Sequence, residues 1–304
     1  MTSISRRRFL QTSSAALLFA NFPGLARAAQ RAAFTIEELA GGVGIFKAQG
    51  GTIAYLIDEA GLALVDSQFP RTAKICLNEM RKRTDKPFEF LINTHHHGDH
   101  TGGNRVFRDE AKKIVGHENV PKLQKQAKTR GSAPVVPDTT FAKEWQGTVG
   151  KKRVRAKHYG PAHTGGDSVI TFLDSNIAHM GDLVFNERHP FIDPPAGATL
   201  LNWPKVLDAA LKDHDAKTQY IFGHGKGNVV LGKAKDVERF RDYLVAVVDT
   251  ARAAIRAGTS KQILVKRKTL PGFESYIGQG PMSLESSLGA AHDELTAAEE
   301  KKKS

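Results

Sequence analysis

Thr94-His95-His96-His97-Gly98-Asp99-His100-Thr101-Gly102-Gly103 is the stretch that decides the fold. Four histidines and one aspartate fall between positions 95 and 100, directly after an apolar, β-prone run, Phe88-Glu89-Phe90-Leu91-Ile92-Asn93. Imidazole and carboxylate together suit zinc, iron or manganese. In an extended segment alternate side chains share a face. His95 and His97 therefore converge on one ion, while His96 points away. After Gly98 the chain can turn into a helix that aims Asp99 and His100 at a second ion. Gly102-Gly103 lets backbone pack closely there.

The pattern His95, His97, Asp99, His100 at a strand end resembles the HxHxDH signature of the metallo-β-lactamase superfamily, and it is complete. Further matches follow in order. Gly160-Pro161-Ala162-His163-Thr164-Gly165-Gly166-Asp167-Ser168 is similar to the family's H-T-x-G-D loop. The run Asn176-Ile177-Ala178-His179-Met180 ends in Gly181-Asp182, and Tyr220-Ile221-Phe222-Gly223 ends in His224. The resemblance implies one ion on His95, His97 and His163, a second on Asp99, His100 and His224, and Asp182 bridging them. Two zinc ions are expected, with iron or manganese as alternatives. Asp66, at the end of Gly61-Leu62-Ala63-Leu64-Val65, is expected to support the ligands from behind or to cap the following helix. The implied fold class is α/β: a four-layer αβ/βα sandwich, two sheets covered by helices, with metals at one edge. The resemblance spans about residues 43 to 232.

Two metals about 3.5–4 Å apart lower the pKa of bound water from about 16 to about 7. The implied function is a hydrolase attacking an acyl bond in a lactam, lactone, ester or thioester, with Asp99 shuttling the proton. No G-x-S-x-G nucleophile elbow is present. Aspartate at 182, where one lactamase subgroup carries cysteine, looks more like glyoxalase II, lactonases and general hydrolases. β-Lactam turnover stays as an activity to test. The alternatives are a mononuclear iron oxidoreductase resembling persulfide dioxygenases, and a non-catalytic metal-binding protein. The first uses fewer ligands and the second usually loses them, whereas all seven positions are filled here.

Two loops are candidates for substrate contact. Asn186-Glu187-Arg188-His189-Pro190-Phe191-Ile192-Asp193-Pro194-Pro195-Ala196-Gly197-Ala198 is too proline-rich for a central strand. As a pocket wall it offers His189 and Phe191, with Arg188 for an anionic group; as a plain crossover it offers nothing. Gly223-His224-Gly225-Lys226-Gly227-Asn228 lacks phosphate-loop spacing, leaving Lys226 and Asn228 to face substrate or to form a turn. His117, His158, His179, His214 and His292 are read as packed or solvated, Cys76 as core, and Trp203 as a helix anchor.

The 304 residues are 40% apolar, enough for a sizeable core. Ser5-Arg6-Arg7-Arg8-Phe9-Leu10, the apolar run to Ala20 and Ala26-Arg27-Ala28 resemble a twin-arginine export signal with its cleavage site. Residues 1–28 are therefore expected to be the signal, 29–234 the metal domain, and 235–304 a helical extension packed on it. In that extension Val237, Phe240, Leu244, Val247, Val248 and Ala251 share one helical face. The expected location is periplasmic or secreted, with the export machinery and a small-molecule substrate as partners and no stable membrane anchor. Removing the four arginines of 1–28 lowers the formal charge from +12 to +8. The remaining basic residues are dispersed and lack interleaved aromatics, which argues against nucleic acid.

Overall fold

Residues 34–127 and 133–303 are described by the computed structural model. The export signal read at 1–28 lies outside the described residues. Seven strands form the first sheet in chain order: β1 Thr35–Glu38, β2 Val43–Lys47, β3 Ile53–Asp58, β4 Gly61–Val65, β5 Phe88–Ile92, β6 Ile114–His117 and β7 Thr139–Phe141. Pairing is antiparallel from β1 to β4 and parallel from β4 to β7.

The chain then continues with β8 Glu144–Val149, β9 Lys152–Lys157, β10 Val169–Phe172, β11 Ile177–His179, β12 Phe185–Asn186, β13 Gln219–Ile221, β14 His224–Gly225 and β15 Leu231–Gly232. The second sheet runs β15-β13-β11-β10-β9-β8, and β12 pairs with β14 in a two-stranded ribbon. β8 is a strand that apolar patterning misses. It is a polar edge strand, held to the core by Trp145, whose ring meets Phe90 edge-on at 5.0 Å.

Period-two alternation makes the layers. From β3 and β4, Ala54, Leu56, Ala63 and Val65 point between the sheets, where they meet Val154, Ala156, Ile170, Phe172 and Ile221 of the second sheet. The intervening Ile53, Tyr55, Leu62 and Leu64 face the other way, onto helix α1 (Pro70–Arg83). That helix starts with proline at its first position, presents Ala73, Cys76, Leu77 and Met80 inward, and ends in Arg81-Lys82-Arg83, which suits its dipole. The next long helix is α2 (Asn119–Gln126).

The outer face of the second sheet (Val169, Ala178, Tyr220, Phe222) is covered by α3 (Trp203–Lys212), α4 (Ala234–Arg256) and α5 (Leu284–Lys303). The six apolar residues named in α4 are all buried there. The result is a helix–sheet–sheet–helix sandwich. Among the described residues no helix is long and apolar enough to cross a membrane.

β4 and β5 are parallel neighbours in one sheet, and β11 and β13 in the other. The loops leaving these four carboxyl ends therefore emerge along one edge, where open α/β sheets bind ligands. They carry Asp66, His95 to His100, Asp182 and His224.

Candidate metal centre

β5 ends at Ile92, the chain bends over residues 94–96, and it turns into a short helix at Gly98–Thr101 with His97 just before it. That change from strand to helix separates the two halves of the motif. His95 Nε2 lies 3.1 Å from His97 Nδ1, and His163 Nε2 lies 2.9 Å from the same atom. Asp182 Oδ2 stands 4.0 Å from His95 Nε2 and 3.7 Å from His163 Nε2. On the other side Asp182 Oδ1 is 3.0 Å from His100 Nε2, and Asp182 Oδ2 is 3.4 Å from His224 Nε2. Asp99 Oδ2 lies 3.1 Å from His224 Nε2 and 3.7 Å from His100 Nε2. The seven expected donors fall into two groups, His95–His97–His163–Asp182 and Asp99–His100–His224, each of which could hold a metal ion, and His96, His97 and Asp193 form a third such group that shares His97.

The outward ring nitrogens explain the orientation. His163 Nδ1 donates to the Phe191 carbonyl at 3.0 Å, His97 Nε2 to Asp193 Oδ2 at 3.1 Å, and His100 Nδ1 to Asp66 Oδ2 at 2.7 Å. Thr94 gives its hydroxyl proton to Asp66 Oδ2, so its oxygen accepts from His95 Nδ1 at 3.0 Å. Such outer bonds fix the tautomer of a ligating histidine. They leave the inner nitrogens of His95, His97 and His163 facing one another as lone pairs, an arrangement that a shared cation satisfies. A second observation agrees: His100 Nε2 and Asp182 Oδ1 are buried and face only each other, without the geometry of a proper hydrogen bond. The residues fit two cations.

Electrostatics divides the groups. Burial, aided by His97, holds His163 down at about 3, and burial holds His95 well below its ordinary value. Burial also opposes charge on His224, but Asp182 and Asp99 outweigh it and lift that imidazole to about 9. For Asp99 burial works upward, and His100 and His224 reverse it to about 2. Asp99 is thus ionised at neutral pH. Asp167 is pushed up to about 7 by burial; it accepts Thr164 N–H and Oγ1–H at 2.7 Å each and closes the loop that carries His163.

Residues 49–226, more than half of the chain, match the sequence profile of the Metallo-beta-lactamase superfamily. The chain belongs to that superfamily.

Other similarities are more distant. Over 100 residues the superfamily chain is 27% identical to 2,4-dinitroanisole O-demethylase subunit alpha of Nocardioides sp. (strain JS1661), a match covering 33% of this chain and 30% of that protein. The stereoselective inverting sec-alkylsulfatase Pisa1 of Pseudomonas sp. superposes with TM-score 0.72 at 15% identity, covering 86% of this chain and 50% of the sulfatase. A metallo-beta-lactamase from Pontibacter korlensis superposes with TM-score 0.59 at 18% identity, over 69% of this chain and 98% of its own. This chain therefore spans half or less of the demethylase subunit and the sulfatase. At these identities the solved structures share the fold.

Within this superfamily site, other candidate residues divide. Asp66 is fully buried and accepts from Thr94 N, Thr94 Oγ1 and His100 Nδ1, so it supports the motif from behind. Phe191 lines the cavity over the donors. His189 does not: its ring is buried against Tyr243, with Nδ1 2.8 Å from the phenol oxygen, because the loop backbone is tied to Ile277. Lys226 donates to the Ser275 carbonyl at 3.0 Å instead of facing substrate. Arg188 and Asn228 line a separate small cleft beside His224, with Lys47 and Gly51. His96, expected to point away from the ions, is buried, with Nε2 3.8 Å from Asp193 Oδ2.

Sequence reading missed Asp193, although an acid in the loop after Asp182 was a usable signal. It also missed two glycines. A Cβ at Gly51 would fall into the His100 ring, and one at Gly223 would fall on Asp182 Oδ1. Pro281 and Met282, which line the same cavity, carried no signal at all.

Proposed function

We propose that this chain is a dinuclear metal-dependent hydrolase, zinc-loaded, that cleaves an acyl bond in a lactone, ester, thioester or lactam. The observation that carries this is the convergence of buried donors into two adjoining groups, with Asp182 reaching both: its Oδ2 lies 3.7 Å from His163 Nε2 and its Oδ1 3.0 Å from His100 Nε2. Two divalent ions held there would supply Lewis acidity and a hydroxide nucleophile at neutral pH. The protein's own part is positioning and proton handling. His95, His97 and His163 are donors fixed by their outer hydrogen bonds. Asp99, ionised and at the cavity edge, takes a proton from water and passes it to the leaving atom. In the balanced reaction the water oxygen bonds to the acyl carbon, and the bond to the leaving oxygen, sulfur or nitrogen breaks. The export segment read at 1–28 would place this activity outside the cytoplasm.

The test is metal content by mass spectrometry on protein purified without added metal, beside Asp182→Ala. Two zinc ions per chain, fewer in the variant, are expected. Chelation should abolish hydrolysis and added zinc restore it. The substrate panel holds lactones, esters, thioesters and β-lactams, with a sec-alkyl sulfate and 2,4-dinitroanisole from the names of similar proteins. A single iron with oxygen uptake on a persulfide would overturn the reading, as would two bound zinc ions with no turnover across the panel.

A further inference from the structure

The cavity over the donors has a volume of about 350 Å³ and is lined by His97, Gly98, Asp99, Asp182, Phe185, Phe191, His224, Pro281 and Met282. One side is the donor set. The other is apolar: Phe191 from the proline-rich loop, Phe185 stacked on His224 at 5.5 Å, and Pro281 and Met282 from far along the chain. Among the described residues no lysine or arginine lines it. The two cations nearest in sequence are turned elsewhere, Lys226 to Ser275 and Arg188 to the separate cleft.

The distant wall is anchored. Ile277 N–H donates to Glu187 O at 3.2 Å, and His189 N–H to Ile277 O at 3.0 Å. Tyr276 stacks on Tyr243 of α4 at 4.6 Å, and Met282 N–H closes a turn onto Gln279 O at 3.2 Å. Met282 is therefore held over the donors by backbone pairing and aromatic packing. A fixed wall of this kind selects by size and polarity. A dry apolar void of about 150 Å³ accepts benzene, so the present cavity has room for such a group beside a scissile bond.

We propose that the acyl part of the substrate is an uncharged aryl or short alkyl group seated against Phe185, Phe191, Pro281 and Met282, and that Met282 sets its size and polarity. This rests on the hydrolase reading for its chemistry but not for its binding surface. An anionic acyl chain finds no counter-charge on this wall, and burying a carboxylate against it is unfavourable.

Zinc-loaded protein is assayed with p-nitrophenyl acetate, hexanoate and the adipate monoester, which is hexanoate with a terminal carboxylate. Hexanoate should exceed both others at least tenfold in kcat/KM. In Met282→Lys the hexanoate-to-adipate ratio should fall at least tenfold. Binding of the neutral dye N-phenyl-1-naphthylamine is read in parallel, with Kd expected to rise at least tenfold in the variant. Metal content equal to wild type shows that the variant is folded; if it is not equal, Met282→Gln replaces it. Where esters are turned over, equal kcat/KM for all three, or a ratio unmoved by the variant, overturns the proposal. Where two zinc ions bind and neither an ester nor any other member of the substrate panel is cleaved, the hydrolase reading fails. The dye then decides alone: absent binding, or binding unmoved by the variant, overturns the proposal.

Discussion

Asp193 reaches back from the proline-rich loop to place Oδ2 3.1 Å from Nε2 of His97, on the side of the ring opposite the donor atom. The bond to His97 also holds the Asp193 carboxyl below its ordinary range. An ionised partner there keeps the proton on Nε2 and the lone pair on Nδ1. Asp193→Ala should therefore weaken the first ion about 10–100-fold. Competition with a chromophoric chelator measures this, and an unchanged affinity would mean that packing alone orients His97.

Asp66 sits at φ 64° and accepts three hydrogen bonds from buried donors. A left-handed backbone suits aspartate or asparagine better than alanine. Asp66→Ala should destabilise the metal-free protein by about 2–4 kcal/mol, since Thr94 and His100 keep buried donors with no acceptor. Denaturant unfolding reads this directly. Asp66→Asn should lose less stability.

Gly223 has no room for a side chain, because a Cβ would fall on Asp182 Oδ1 and lie 2.8 Å from the Gly181 carbonyl. Its N–H donates to Gly181 O at 2.7 Å, so the backbone cannot retreat easily. Gly223→Ala should displace Asp182 and reduce bound zinc by at least one ion per chain, with circular dichroism near that of wild type. Full metal content in the variant would show that the strand yields.

His117 and His158 stack with centroids 4.0 Å apart behind the loop that carries His163. Burial lowers both imidazoles from their ordinary 6.5. Between the folded values and 6.5 the unfolded chain binds more protons, so stability rises with pH in that window. The contribution is full above about pH 6.5 and is lost as pH falls toward the folded values. Denaturant midpoints from pH 5 to 8 should show this slope, and His158→Gln should flatten it. An unchanged slope would place the pH dependence elsewhere.

Much of the fold was legible because the layers are written in alternation. Ile53-Ala54-Tyr55-Leu56 sends one face to each side, and the helical face of Val237, Phe240 and Leu244 is as plain. β8 was not legible, because an edge strand needs no apolar run. For the site, spacing grouped His95 with His97 and Asp99 with His100, while His163, Asp182 and His224 were named by the resemblance to the superfamily's motifs. The roles first given to His189 and Lys226 depended on where a loop turns, and no local pattern encodes that.

By itself, the sequence determined which stretches alternate as strands and which residues stand, in order, where the superfamily pattern has its donors; the two-sheet class and the ligand set are what that resemblance implies. Only the tertiary structure decided which atoms face each other, that Asp193 backs His97, that Gly51 and Gly223 leave space for His100 and Asp182, and that Met282 closes the cavity. Those contacts join residues 41 to 96 positions apart, or 100 in the case of Met282 and Asp182, and they exist only once both sheets and the covering helices have packed.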